Sequence, residues 1–193
     1  MTHLPAPHRI TRRSFCTLSA VALASLALPA RRAFGDEAAT AATATQPGAI
    51  VIVHTNDVHC AVDDNLGYAK LVNYAKTMRS TYGADNVTLV DAGDAVQGKA
   101  MGTLTDGEYL VDIMNECGYD FAIPGNHEFD YGMAQFNTLV ARANAKYLSC
   151  NFTELRTGNL MFDAYAMREY GTGADTKKVA FLGICTPESL TKS

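Results

Sequence analysis

Three times between residues 50 and 130 an apolar, β-branched run stops at a short polar motif. Ile50-Val51-Ile52-Val53 leads into Asp57-Val58-His59, and Val87-Thr88-Leu89-Val90 into Gly93-Asp94-Ala95-Val96-Gln97-Gly98. Phe121-Ala122-Ile123 leads into Gly125-Asn126-His127-Glu128-Phe129-Asp130. Short apolar runs of this kind read as buried strands, and side chains at the carboxyl ends of neighbouring buried strands converge in one crevice. Between the runs, apolar residues recur at helical spacing. Leu71, Tyr74, Ala75 and Met78 predict a helix over 68–82, and Phe136, Leu139, Val140 and Ala143 predict one over 133–145. Another is expected near 107–116, stopped by Gly118. Strands are expected over 49–54, 86–91, 121–123 and 147–151. Two more, 164–169 and 178–184, are joined by a turn at 171–175. Such alternation specifies a layered α/β fold, β-sheets flanked by helices.

The convergent set is a carboxylate and an imidazole (Asp57, His59), a second carboxylate (Asp94), then an amide and an imidazole (Asn126, His127). In a tight loop Asp57 and His59 can bind one cation. A mixed oxygen and nitrogen pair suits zinc, manganese or iron better than calcium. Asp94, between small neighbours, can bridge two cations about 3.5–4 Å apart. Asn126 offers a neutral oxygen to the second cation. His127 is left to face a substrate, and Asp130, three residues on, can orient its ring and stabilise the imidazolium. Such a set suits two-metal hydrolysis.

With His54-Thr55-Asn56 ahead of the first motif and Tyr131-Gly132 after the third, the three motifs in order resemble the calcineurin-like metallophosphoesterases. They are most similar to the exported 5′-nucleotidase / UDP-sugar hydrolase branch, over about residues 49–193. The resemblance implies that Asp57 and His59 hold one of two divalent metal ions, that Asp94 bridges them and that Asn126 holds the other. His127 and Asp130 would form a dyad stabilising the transition state. It implies a small-molecule nucleotide substrate, with a cyclic nucleotide or a thiosulfate conjugate as alternatives. One departure is Cys60, where the family usually has glycine. The family also implies further histidine ligands downstream, whereas none of the five histidines lies beyond His127. The chain therefore reads as the N-terminal portion of a larger enzyme, truncated after the first half of the fold. A catalytically weak metal-binding fragment is the alternative to an active hydrolase.

Three nearby polar residues have simpler expectations. His54 reads as a hydrogen-bonded core histidine or a support for the site, and Asp91 as a cap or brace of the second loop. For Glu128 a loop-bracing salt bridge and a catalytic duty stand level. Cys117, Cys150 and Cys185 fall in or beside core elements and are expected as free buried thiols.

The first 35 residues read separately. Arg9, Arg12 and Arg13 precede an uncharged apolar stretch over 18–28, and no acidic residue occurs before Asp36. That stretch has the length of a signal-peptide core and is too short for a stable transmembrane anchor. Thr11-Arg12-Arg13-Ser14-Phe15 resembles a twin-arginine signal, which implies the twin-arginine export machinery as a partner and an exported product. Ala33-Phe34-Gly35 is a usable cleavage site, and 36–48 reads as a flexible linker. A net charge of −4 argues against a nucleic acid polymer as partner but not against an anionic substrate, because bound dications reverse the local field.

Overall fold

The structure is a computed structural model describing residues 48–64 and 66–186. The expected leader, nearly all of the linker and the segment from Pro187 onward lie outside the described residues. Four apolar runs build one parallel sheet in the order β1-β2-β3-β4, from β1 (Val51–Thr55), β2 (Val87–Asp91), β3 (Phe121–Ala122) and β4 (Lys146–Tyr147). The register runs from Val51 opposite Val87 to Thr55 opposite Asp91, then from Asp91 opposite Ala122. The three strands thus end level, and the loops that follow them start side by side.

β2 lies inside the sheet, and Val87, Thr88, Leu89 and Asp91 are all buried, as its unbroken apolar run implies. β1 forms a rim. Its Val53 is buried, but Ile52 and His54 are exposed on the other face. The expectation of a core His54 is corrected accordingly: side chains alternate along a strand, and His54 lies on the exposed face opposite buried Val53.

Helix α1 (Gly67–Tyr82) packs on β1 and β2 through Tyr68, Leu71 and Ala75. Tyr74 belongs to the predicted stripe yet is exposed, because it precedes Ala75 by one residue and so points about 100° away from it. Helix α3 (Glu108–Cys117) closes at Gly118, whose N–H donates to the carbonyls of Met114 and Asn115. Helix α4 (Gly132–Arg142) buries Phe136 and Leu139. Arg142 then forks onto Asp112 of α3 at 2.6 and 2.7 Å.

A seven-residue helix, α2 (Lys99–Thr105), was not expected from the pattern. It carries no apolar stripe and is set by tertiary contact. Gly102 sits so close to Cys60 that a Cβ there would lie 2.7 Å from Sγ.

The expected strand over 147–151 pairs in the parallel sheet only at Lys146–Tyr147. Beyond it the chain leaves the β3 register: Leu148 N still donates to the Ala122 carbonyl, but Ser149 N turns to the Asp163 carbonyl and Cys150 N to that of Gly183. The last two strands, β5 (Tyr165–Tyr170) and β6 (Lys177–Leu182), pair with each other in an antiparallel hairpin. The hairpin docks on β2 and β3. Phe181 packs 4.8 Å from Phe121, Tyr170 meets Thr88 hydroxyl to hydroxyl, and Arg168 donates to Asp120 at 2.5 Å and to the Val87 carbonyl at 3.3 Å. Under the third loop, Phe129 stacks 5.1 Å from Phe152 and lies 4.7 Å from Phe136. A motif residue thereby anchors its loop in the core. Among the described residues no helix is long and apolar enough to cross a membrane.

Candidate active site

The three loops are woven together by their main chains. Asp57 N donates to Gly93 O, His59 N to Asp94 O and Cys60 N to Ala95 O, each at 3.0 Å, so the first loop runs as a ribbon along the second. Following that course puts Asp57, His59, Cys60 and Asp94 at φ of 51°, 47°, 57° and 57°, four of the five non-glycine residues with positive φ among those described. Such conformations cost about 1 kcal/mol or more each and persist only where surrounding bonds over-determine them. Glycines make the close approach feasible. A Cβ on Gly125 would lie 2.3 Å from Asp94 Oδ1, and one on Gly98 would lie 2.4 Å from the His59 carbonyl.

One ligand atom each from His59, Asp94 and His127 lies within 4.8 Å of the other two, and the two imidazoles meet edge to face with centroids 5.0 Å apart. Each ring is held from behind. His59 Nδ1 is 3.1 Å from the Gln97 carbonyl, which can only accept, so Nδ1 carries the proton and Nε2 keeps its lone pair. His127 Nδ1 is 2.6 Å from Asp130 Oδ2, which fixes the same tautomer once the carboxylate is ionised. Asp94 Oδ1 accepts the His127 N–H at 2.7 Å. It retains further lone pairs for a cation.

Asp57 stands outside this cluster. Its exposed carboxylate accepts from Asn56 Nδ2 at 2.7 Å, and it lines a cavity of about 210 Å³ with Thr55, Tyr68 and Leu71. Asn126, partly buried, heads the short 3₁₀ turn His127–Phe129, and its side chain makes no cap bond there. Nitrogen and carboxylate oxygen donors, with a neutral amide oxygen at Asn126, fit zinc, manganese or iron.

Two buried carboxylates lie beneath the loops. Asp91 accepts from Thr55 Oγ1 at 2.9 Å and Gly93 N at 3.2 Å, and Thr55 Oγ1 also meets Tyr119 Oη at 2.8 Å. Desolvation, reinforced by the nearby Glu128 charge, pushes the Asp91 carboxyl up to about 8. Among the described residues Glu128 makes no salt bridge, correcting that expectation; its carboxylate takes backbone N–H groups from the second and third loops. Burial is the larger influence and raises its pKa, although those bonds pull the other way. Nothing in the pattern of the motif distinguishes an enclosed glutamate from an exposed one, and the Gln97 carbonyl behind His59 has no side-chain signature at all. Cys60 is buried, its Sγ donates to the Val96 carbonyl at 3.1 Å, and desolvation pushes its thiol up to about 11. Cys117 and Cys185 are buried free thiols as expected, whereas Cys150 is a free thiol only partly buried.

Residues 50–182 match the family described as calcineurin-like phosphoesterase. The chain belongs to that family. A snake venom 5′-nucleotidase from Gloydius brevicauda is 30% identical over 154 residues, covering 72% of this chain and 26% of its own length. A 2′,3′-cyclic-nucleotide 2′-phosphodiesterase/3′-nucleotidase from Salmonella typhimurium is 28% identical, covering 53% and 18%. Among solved structures, the NAD nucleotidase of Haemophilus influenzae superposes with a TM-score of 0.63 at 23% identity, over 73% of this chain and 27% of that one. The chain thus spans about a quarter of the length of relatives it matches. Its parallel sheet with flanking helices is the architecture expected from the alternation.

Proposed function

We propose that the chain carries the metal ligands of a hydrolase acting on phosphate esters of extracytoplasmic nucleotides. The observation that carries this reading is the convergence of His59, Asp94 and His127 donors within 4.8 Å, at the level ends of three parallel strands. In this reading Asp57 and His59 hold one divalent cation, Asp94 bridges, and Asn126 holds the second. Two such cations would supply Lewis-acid polarisation of the phosphoryl group. The chain's own residues supply orientation and a proton site. Asp130 accepts from Nδ1 of His127 and so stabilises the imidazolium; in that doubly protonated form Nε2–H can donate to a phosphoryl oxygen or protonate the leaving oxygen.

The 5′-nucleotidases among the relatives favour a mononucleotide substrate, and the Salmonella relative keeps a cyclic nucleotide as the alternative. Export by the twin-arginine route rests on Arg12-Arg13 and the apolar stretch behind them. Exchanging both arginines for lysine is expected to retain the precursor in the cytoplasm. For the site, the test is metal titration of the chain with zinc or manganese. The residues present complete one site better than two, so close to one tightly held ion is expected, and none in Asp94→Ala. With two protein ligands at the second position, phosphate release from AMP by this chain alone is expected to be slight. Retention of metal by Asp94→Ala would overturn the assignment.

A further inference from the structure

Glu128 lies one residue past His127 and has no task in the chemistry above, yet it is 2% exposed. Its Oε1 accepts the Ala95 N–H at 2.7 Å; its Oε2 accepts the Asp94 N–H at 2.8 Å and the Gly125 N–H at 2.6 Å. Two of these donors belong to the second loop and one to the third. The bond back is also present, because Asp94 Oδ1 accepts the His127 N–H. A closed ring results: the Glu128 side chain holds the backbone of Asp94, and the Asp94 side chain holds the backbone beside Glu128. All three partners of the Glu128 carboxylate are donors, so the side chain serves here purely as an acceptor across the two loops.

We propose that Glu128 is a positioning residue whose carboxylate fixes the spacing between the Asp94 loop and the Asn126–His127 loop, and so sets the geometry in which a cation is bound. This rests on the metallophosphoesterase reading of the site. The chemistry of the position allows no substitute. Glutamine has the same shape, but its single oxygen can serve only one side of the fork, and its NH₂ then faces an N–H donor. Aspartate keeps the charge but is one methylene shorter, so it cannot reach both loops at once.

The experiment uses the full chain and Co²⁺ as both ligand and reporter. Wild type is expected to bind Co²⁺ with a visible d–d spectrum. Glu128→Gln should bind about 10–100-fold more weakly, the usual cost of losing a residue that supports a metal ligand, with a changed spectrum. Glu128→Asp should fall between them. Arg168→Gln, far from the loops in the hairpin, should lose thermal stability yet keep both affinity and spectrum. That separates positioning from general support of the fold. Wild-type affinity and spectrum in Glu128→Gln would overturn the proposal and leave the metal reading standing. Absence of Co²⁺ binding by wild type would remove both. Where Glu128→Gln fails to fold, wild-type amide NMR decides. The Asp94, Ala95 and Gly125 protons should resonate far downfield, exchange slowly and shift together when Zn²⁺ is added. Ordinary shifts with fast exchange would overturn the proposal.

Discussion

The loop cluster and the β5–β6 hairpin are held by opposite strategies. The hairpin is a regular antiparallel ladder from Tyr165–Leu182 to Tyr170–Lys177, with Tyr165, Met167 and Leu182 exposed. It is attached by a few contacts: Arg168 to Asp120, Tyr170 to Thr88, Phe181 to Phe121. In the loops the backbone is left-handed at four non-glycine residues, and two carboxylates are buried under them. Main-chain groups there bond across loops rather than along a ladder. A ladder tolerates loss of single contacts because its neighbours persist. The loops concentrate strain and buried charge at a few points, each of which should matter more.

The largest effect is expected where two loops touch. Gly125→Ala would drive a methyl into Asp94, costing about 3 kcal/mol, the upper range for overpacking, and abolishing metal binding. Denaturant melts and metal titration measure the two losses. If both are small, the loops are looser than their contacts imply.

Removing a functional group without disturbing the weave should separate chemistry from architecture. In a chain with measurable phosphate release, His127→Ala is expected to keep its metal and lower turnover by about 10²–10⁴-fold. Loss of metal instead would make His127 a ligand, as its place in the cluster also permits.

The pH response sharpens the contrast further. The Asp91 carboxyl is raised from 3.8 to about 8 in the folded protein, so the folded state holds a proton that the unfolded chain releases. Between those values stability must fall as pH rises, by up to about 1.4 kcal/mol per unit, and level off above pH 8. Metal-free Asp91→Asn should melt with a flatter dependence from pH 5 to 8. An unchanged slope would show that Asp91 is ionised in the fold. The smallest effect belongs to the hairpin. Arg168→Gln should cost about 1 kcal/mol through its bond to Asp120 and leave metal affinity unaltered.

Sequence disclosed the sheet and the loops because both rest on local pattern. Apolar runs mark β1 to β3, and polar motifs at their ends mark where the candidate ligands emerge. What stayed hidden depends on partners distant in sequence. α2 packs its Gly102 against Cys60, the backbone after Tyr147 turns away to the Asp163 and Gly183 carbonyls, and His54 lies on the face of β1 opposite buried Val53. Within the site, residue types were legible, but the burial of Glu128 and the tautomer imposed by Gln97 are not written in any spacing.

The main-chain weave also makes the site transferable. Its shape is set chiefly by bonds between backbone groups, by Glu128 and Asp91, and by a few glycines, all inside 55–60, 91–98 and 123–130. Adjacent strands lie about 4.8 Å apart in any sheet. A different protein with three level, adjacent parallel strands therefore already offers the anchor points. Grafting those three segments together, rather than the ligands alone, is how a designer would install this site on a new scaffold.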